Sequence, residues 1–329
     1  MKYDFITIGG AAEDLTLLVK EGILIDNKKD ILRQKLLAFE YGAKIEIDDI
    51  DRNFGGGAAN VAVSLSGLGF RVANISAVGR DERGDRILKN FRKHRIDSRL
   101  IRVTGEEETS YSFIILGKSK DRVIFFSRGA EKKIEITKKE LKYLNKTRWI
   151  YLNALSGDWK ENLKKIFSVE KAKIIWNPGN AQLERGKELK KYLVRTEILI
   201  VNKDEAIQLA ISAGAAAGRG NVFLNNIDNL LRTLKALGPK VVVITNGKAG
   251  AKAYDGKHIY FQGVLKEKVR LDTTGLGDAF GSAFAAGMIF YKGNLRRSLL
   301  LGARNSASVI SEIGAQKGLL TKEKIFFYL

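Results

Sequence analysis

The sequence predicts an α/β fold with a mostly parallel central sheet. Short apolar segments alternate with stretches of helical periodicity at the spacing of βαβ units, which join parallel strands. The later strands predicted in this way are residues 149–153, 173–176, 198–202 and 241–245. Several polar residues stand where these strands end, namely Asn153, Asn177, Asn202 and Thr245. Because ligands of open α/β sheets bind at the carboxyl ends of the strands, these residues are expected to line a cleft.

Length and composition limit the class of protein. The 329 residues suffice for a single large domain, predicted to span 1–329, and the 45% hydrophobic and 29% charged fractions are ordinary for a soluble chain. No apolar run approaches the ~18 residues of a membrane span, and the N-terminus enters a strand without a signal-peptide pattern. We therefore expect a cytoplasmic protein with no membrane partner. With no cysteine and two histidines, disulfides, zinc sites and Ser-His-Asp hydrolysis are poor candidates.

The formal net charge of +20 is unusual. A strongly basic protein can bind nucleic acid, but here lysine and arginine are spread along the chain and mixed with acidic residues. No basic run is interleaved with aromatic residues. We therefore regard nucleic acid as an unlikely partner. Steering of a polyphosphate substrate and a general bias towards lysine explain the charge equally well.

Residues 272–280, with the sequence Asp-Thr-Thr-Gly-Leu-Gly-Asp-Ala-Phe, are the strongest functional motif. Apolar residues recur at helical spacing from Phe280 onward, which predicts a helix beginning at Asp278. Small residues before a helix let backbone N–H groups approach a ligand, and the helix N-terminus favours an anion. A carboxylate beside an anion site suits the removal of a proton from a hydroxyl during phosphate transfer. A glycine-rich turn that only redirects the chain is the alternative.

This motif resembles the C-terminal signature of the PfkB/ribokinase family of carbohydrate and nucleoside kinases, in which alanine usually stands in place of Leu276. The resemblance implies that the backbone amides of Gly275, Leu276 and Gly277 form an anion hole. It also implies that Asp278 is the base that activates the acceptor hydroxyl. With the matches elsewhere, the resemblance covers the chain from about residue 6 to residue 315.

A second motif, residues 53–60 (Asn-Phe-Gly-Gly-Gly-Ala-Ala-Asn), resembles the N-terminal signature of the same family. By this resemblance, Gly56, Gly57 and Asn60 contact the hydroxyl groups of the acceptor. Asp14, which we expect just beyond the first strand, resembles the family's aspartate that binds sugar or ribose hydroxyls. A turn or helix-cap aspartate is the alternative for Asp14.

The nucleotide side of the resemblance lies further along the chain. Asn202 and Glu205 fit the family's Asn-x-x-Glu motif, which helps to hold magnesium, usually through water, and the phosphates. Mg²⁺ prefers oxygen ligands and retains several waters, so an amide and a carboxylate suffice. Glu205 is equally explained as an ordinary first-turn helix acid. Thr245 and Gly247 match the nucleotide-side turn, and Asn305 resembles a residue that lines the adenine pocket.

The family resemblance implies a ribokinase-like three-layer α/β/α fold with a small β lid over the substrate. Candidate lid segments fall within about 13–52 and 109–127, and include the alternating stretches 44–48, 109–116 and 122–126. Because lids in this family often pair, the chain is expected to be a monomer or a homodimer formed through the lid.

The implied activity is ATP- and Mg²⁺-dependent phosphorylation of a hydroxymethyl group on a small-molecule sugar or nucleoside. It is compatible with a monovalent cation such as K⁺ as an activator. Residues 57–60 resemble the sugar-kinase form of the signature more than the adenosine-kinase forms, which favours a sugar. A nucleoside kinase of the same family is the alternative, because pocket side chains, not motifs, set specificity.

Overall fold

The computed structural model describes residues 3–27, 35–116, 122–266 and 271–326. Its strands are β1 (Phe5–Ile8), β2 (Ala12–Leu18), β3 (Ile23–Asp26), β4 (Lys35–Ala38), β5 (Asp49–Gly55), β6 (Val72–Ile75), β7 (Ala77–Gly79), β8 (Arg102–Thr104), β9 (Tyr111–Leu116), β10 (Arg122–Ser127), β11 (Trp149–Leu152), β12 (Lys173–Trp176), β13 (Ile198–Asn202), β14 (Val241–Thr245), β15 (Ala251–Tyr254) and β16 (Ile259–Gln262). Its helices are α1 (Gly57–Gly67), α2 (Glu82–Lys93), α3 (Lys138–Leu144), α4 (Trp159–Phe167), α5 (Asn180–Leu183), α6 (Gly186–Leu193), α7 (Lys203–Ser212), α8 (Asn221–Asn225), α9 (Ile227–Ala236), α10 (Leu276–Phe290), α11 (Leu295–Val309) and α12 (Lys322–Phe326).

A central sheet organises the fold, with strand order β16-β15-β14-β13-β12-β11-β1-β6. The strands from β14 to β6 pair in parallel, and β15 and β16 extend the sheet antiparallel at one edge. The predicted parallel sheet is therefore confirmed, and the four later strands begin where the apolar pattern predicts. Such strands read as continuous apolar runs because both faces of the sheet are covered.

Helices cover both faces, which gives three layers. One face carries Phe5, Tyr151 and Val243 and packs on α1, α10 and α11. The other carries the alternate strand residues, such as Ile6 and Leu152, and packs on helices that include α4, α7 and α9. Burying each large apolar side chain stabilises the folded state by about 1.5–3 kcal/mol. The two helical layers therefore fix the position of the central sheet and of the carboxyl ends of its strands.

A second sheet of four strands, which we call the small sheet, has the order β10-β9-β2-β5. The predicted lid segments 109–116 and 122–126 are confirmed as strands β9 and β10. The strand predicted at 44–48 is wrong, because pairing begins only where the amide of Asp48 donates to the carbonyl of Leu18, the last residue of β2. Beyond Leu18 there is no β2 residue for 44–47 to pair with. The division into a single domain 1–329 with this lid stays a prediction.

The start of one helix differs from the predicted position. Helix α10 begins at Leu276, two residues before Asp278, because Gly275 adopts a left-handed conformation that ends the preceding turn. Helix α11 follows it, with Asn294 as its cap. Within the described residues, no helix has the length and hydropathy needed to cross a membrane.

Candidate active site

The N-terminus of α10 is the centre of the site. Gly275 precedes it with φ 72°, and a Cβ atom there would lie 2.3 Å from the Cβ of Ala315, so glycine is required. Gly275 has no side chain with which to cap the helix. The first backbone N–H groups of an α-helix have no partner within the helix, so those of α10 are available to an anion.

A cavity of about 480 Å³, which we call the larger cavity, lies on one side of this helix end. Its walls include the predicted residues Asn202, Thr245, Gly247, Leu276 and Gly277. A Cβ atom on Gly277 would have no protein atom within 4 Å, so packing does not require glycine at this position. The open space beside Gly277 is what a ligand that closely approaches the backbone would need.

A cavity of about 280 Å³, the smaller cavity, lies on the other side of the helix end. The predicted residues Gly56, Gly57 and Asp278 line it, together with Asn153 and Asn177 from the strand ends. A Cβ atom on Gly57 would lie 2.8 Å from Nδ2 of Asn153, so glycine lets the end of β11 approach α1. The larger and smaller cavities therefore meet at the first turn of α10.

The small sheet supplies several residues of the smaller cavity that sequence reasoning missed. Ser112, Ile124 and Phe126 line the smaller cavity and alternate along β9 and β10, so they share one face of the small sheet. Arg128 and Glu131 follow β10 and complete the wall. The alternation in 122–126 signalled a strand, but nothing local indicated which of its faces meets a ligand.

Arg128 and Glu131 form a polar cluster with Ser156. The Arg128 guanidinium lies 3.4 Å from Oε1 of Glu131 and donates to Oγ of Ser156 at 3.0 Å, and Ser156 Oγ donates to the Glu131 carboxyl. Burial raises the pKa of Glu131, although the hydrogen bond from Ser156 and the charge of Arg128 oppose that shift. The charge of the one arginine in this wall is thus balanced by a neighbouring acid.

Asp278 is held by amides from two other elements. Nδ2 of Asn60 on α1 donates to Oδ2 of Asp278 at 2.9 Å, and Nδ2 of Asn153 lies 3.5 Å from Oδ1. Oδ1 of Asn60 accepts a hydrogen bond from Gln316 at 3.0 Å. Asn60 is buried and is not among the residues that line the smaller cavity. The structure therefore pairs Asn60 with the predicted base, where direct contact with a ligand was expected.

Asp14 also differs from its predicted place. It lies within β2 of the small sheet rather than in the turn after β1, because β2 begins only four residues after β1 ends. Its side chain is 6% exposed and does not line the smaller cavity. A Cβ atom on Gly55 would lie 2.0 Å from Oδ2 of Asp14, so the carboxylate packs against the Gly55 backbone.

Asn202 and Glu205 form a reciprocal cap at the start of α7. Oδ1 of Asn202 accepts from the Glu205 amide at 2.9 Å, and Oε2 of Glu205 accepts from the Asn202 amide at 2.8 Å. Burial raises the pKa of Glu205 to about 7, the charge of Asp278 adds to the shift, and the bond from the Asn202 amide opposes it. Glu205 is thus an acidic residue in the first turn of α7, and the negative charge of Asp278, the predicted base, also raises its pKa.

Asn305 does not reach the larger cavity. It is fully buried, and its amide donates to the Ala279 carbonyl at 2.8 Å and to Oγ of Ser64 at 3.2 Å. Its Oδ1 accepts from the amide of Leu320 at 2.8 Å. The expectation that Asn305 lines a ligand pocket is therefore corrected: it ties α11 to α1 and α10. Ser306 is the neighbouring α11 residue that faces the larger cavity.

The described residues contain no group of three or more His, Cys, Asp or Glu side chains arranged to hold a metal ion. Asn202 and Glu205 still fit an ion that keeps most of its waters, because Mg²⁺ is commonly bound through one or two carboxylates and substrate phosphates.

Comparisons with known proteins show which family this chain belongs to. The model of the pfkB family carbohydrate kinases matches residues 23–322. An ATP-dependent 6-phosphofructokinase of Thermoanaerobacterium thermosaccharolyticum is 30% identical over 313 residues, covering 89% of this chain and 92% of the relative. A nucleoside kinase of Methanocaldococcus jannaschii is 29% identical over 293 residues, covering 87% and 88%.

Among solved structures, Arabidopsis thaliana ribokinase complexed with ribose and ATP superposes with a TM-score of 0.78 at 17% identity, covering 99% of this chain and 98% of that one. This likeness confirms the ribokinase-like three-layer fold. The family match over most of the chain, and the meeting of two cavities at its signature helix, lead to one assignment. The chain belongs to the pfkB family of carbohydrate kinases and is a phosphotransferase that acts on an alcohol group.

Proposed function

We propose that this protein transfers the γ-phosphate of ATP to a hydroxymethyl group of a sugar. The observation that carries the proposal is the position of residues 277 and 278. Gly277 lines the larger cavity and Asp278 lines the smaller one, so adjacent residues of one helix turn face both. A phosphoryl donor in the larger cavity and an acceptor in the smaller one would meet at that turn, as in-line transfer requires.

Asp278 is the proposed general base. As the acceptor oxygen bonds to the γ-phosphorus and the bond to ADP breaks, the hydroxyl proton passes to a carboxylate oxygen of Asp278. The backbone amides of Gly275, Leu276 and Gly277, at the start of α10, stabilise the charge on the transferred group. The hydrogen bonds from Asn60 and Asn153 hold the carboxylate in place.

We propose that Asn202 and Glu205 hold Mg²⁺ through water beside the phosphates, with Thr245 and Gly247 lining the nucleotide side. Mg²⁺ bound there neutralises charge on the phosphate oxygens. The proposal is supported by Asn202, Thr245 and Gly247 in the wall of the larger cavity and by the coupling of Glu205 to Asp278. Nearby Lys248 adds a positive charge to the same wall.

The walls of the smaller cavity favour an uncharged acceptor. Among the described residues that line it, Arg128 is accompanied by the carboxyl groups of Glu131 and Asp278, so these residues present no excess of positive charge to a second phosphate. Asn153 and Asn177 provide both hydrogen-bond donors and acceptors, which suits the adjacent hydroxyls of a sugar.

A nucleoside is the second candidate acceptor. Ile124 and Phe126 face the smaller cavity and are 40% and 60% exposed, so they offer an apolar surface for a base. Turnover of hexoses, fructose 6-phosphate, pentoses, adenosine, inosine and cytidine with ATP, followed by ADP release, tests the proposal. A nucleoside that exceeds every sugar by about 10-fold or more in kcat/KM would replace the sugar assignment. Lack of turnover with every acceptor would refute both.

Of the two predicted states, monomer or homodimer, we propose the homodimer formed through the small sheet. Phe113 and Phe125 pair across β9 and β10 and are 40% and 57% exposed on the face opposite Phe126. Exposed apolar surface of this kind favours association with a second copy. Light scattering during gel filtration distinguishes monomer from dimer, and a monomer at every concentration tested would refute the pairing.

A further inference from the structure

Three side-chain amides, those of Asn90, Gln316 and Asn60, form a chain of hydrogen bonds that ends at Asp278, and we call this chain the amide row. Nδ2 of Asn90 on α2 donates to Oε1 of Gln316 at 2.8 Å, and Nε2 of Gln316 donates to Oδ1 of Asn60 at 3.0 Å. Nδ2 of Asn60 then donates to Oδ2 of Asp278 at 2.9 Å. Gln316 lies in the segment after α11, whereas Asn90 and Asn60 lie on α2 and α1. Three parts of the chain therefore converge on one carboxylate.

The direction of this row is fixed by chemistry. An ionised carboxylate only accepts hydrogen bonds, so the NH₂ group of Asn60 must face Asp278 and its carbonyl oxygen must face Gln316. Gln316 then has to donate to Asn60, and its own oxygen has to face a donor, which Asn90 supplies. Asn60 and Asn90 are 4% and 8% exposed, so water is a poor substitute partner.

We propose that Gln316 is a positioning residue, which fixes the orientation of the Asn60 amide and thereby holds Asp278 as an acceptor of the hydroxyl proton. The inference rests on the proposed role of Asp278 as base. Asn90 acts one step further away by fixing Gln316. None of these three amides lines the smaller cavity, so their effect reaches the acceptor through Asp278.

Other ionisable groups also face Asp278. Glu205 on α7 and Tyr151 on β11 both feel its charge, and Arg128 and Glu131 share the wall of the smaller cavity with it. The contribution of Asn60 is a direct hydrogen bond, which its Nδ2 donates to Oδ2 of Asp278 at 2.9 Å. The amide row therefore acts on Asp278 through this bond, in addition to the charges of the neighbouring groups.

Replacing Gln316→Glu tests the direction of the row. The introduced carboxylate repels Oδ1 of Asn60, so the Asn60 amide turns and presents its oxygen to Asp278. We expect kcat to fall about 100-fold, with the KM for ATP within about twofold of wild type, because the perturbed group acts in the transition state. Gln316→Met removes the donor without adding charge and should lower kcat about 10-fold, and Asn90→Ala should lower it less.

The matched control is Asn294→Asp, which adds the same charge at an exposed helix cap and keeps an oxygen for the Arg297 amide. Its kcat should equal that of wild type. If Gln316→Glu keeps kcat within about twofold of wild type while folded, the proposal is overturned. Should Gln316→Glu fail to fold, the same criterion applies to Gln316→Met.

A second measurement does not depend on turnover. The side-chain NH₂ signal of Asn60, assigned in asparagine-labelled ligand-free protein by its loss in Asn60→Asp, should move in Gln316→Glu and stay in place in Asn294→Asp. An unmoved signal in a folded Gln316→Glu variant would overturn the amide row. A wild-type protein that phosphorylates no acceptor would instead refute the proposed function, and this signal would still report on the row.

Discussion

The larger and smaller cavities meet at one helix turn but are built differently. Every residue that lines the larger cavity lies between positions 202 and 310, on the ends of β13 to β16, on α10 and α11, or in the segments that follow or join these elements. The smaller cavity draws its walls from positions 10 to 278 and uses both the central sheet and the small sheet. Motifs therefore indicated residues of both cavities, whereas the residues that the small sheet adds to the smaller cavity depend on how the two sheets pack together.

The largest effect should come from the residue at the boundary of the two cavities. Asp278→Asn keeps the shape of the side chain but cannot take the hydroxyl proton, so kcat should fall by ~10²–10⁴ while ATP binding persists. Steady-state kinetics and calorimetric titration with a nonhydrolysable ATP analogue measure the two quantities. Asp85→Asn, at an exposed position of α2, is the control and should keep the wild-type rate. A variant retaining more than about half of the wild-type rate would remove Asp278 from its role.

The next prediction distinguishes an effect on ligand binding in the larger cavity from an effect on the stability of the fold. Gly277→Ala adds a methyl group that meets no protein atom within 4 Å, so the melting temperature should be unchanged or higher. The same methyl group intrudes on the phosphate position, so activity should fall about 10²-fold. Gly105→Ala, which likewise meets no atom within 4 Å, should leave both quantities unchanged. Full activity in Gly277→Ala would argue against close approach of a phosphate.

A third prediction tests which face of the small sheet meets the acceptor. Phe126→Ala removes an aromatic surface of the smaller cavity and should raise the KM of a nucleoside about 10-fold, with little change for a sugar. The KM for ATP should stay constant, since Phe126 does not line the larger cavity. Phe125→Ala, one residue away on the opposite face, is the matched control. Equal effects of the two variants on acceptor KM would contradict this assignment of faces.

A fourth prediction concerns pH and Glu205 in the ligand-free protein. Its pKa is raised from 4.5 to about 7, so the folded state holds a proton that the unfolded state releases. The free energy of unfolding should therefore decrease as pH rises from about 5 to about 7, and then level off. Glu205→Gln keeps the reciprocal cap and should lack this contribution. Urea denaturation at several pH values measures it, and the exposed Glu170→Gln should show the wild-type profile.

The smallest effect is expected at Leu276, between Gly275 and Gly277. An anion hole uses backbone amides, so Leu276→Ala should keep kcat within about threefold of wild type. Its side chain does line the larger cavity, so the KM for ATP is the quantity to follow alongside kcat. A loss of about 10²-fold in kcat would mean that the side chain itself supports catalysis.

Much of this protein follows from its sequence alone. The apolar runs predicted four adjacent strands of the central sheet, β11 to β14, because burial on both faces leaves a pattern within each strand. Signature residues such as Gly56, Gly277 and Asp278 line the cavities, and their roles towards ligands stay predictions. The strand predicted at residues 44–48 is absent because a strand needs a partner, and the neighbouring strand β2 ends at Leu18.

The orientation of distant side chains was decided only by tertiary structure. Asn60 and Asp278 are 218 residues apart, and nothing near either one indicates that their side chains meet at 2.9 Å. Asn305 was predicted to line a pocket, but the packing of α11 directs its side-chain amide into the core, where it donates to the carbonyl of Ala279. Periodicity and caps are encoded within a few residues, whereas a shared hydrogen bond depends on how the layers pack against each other.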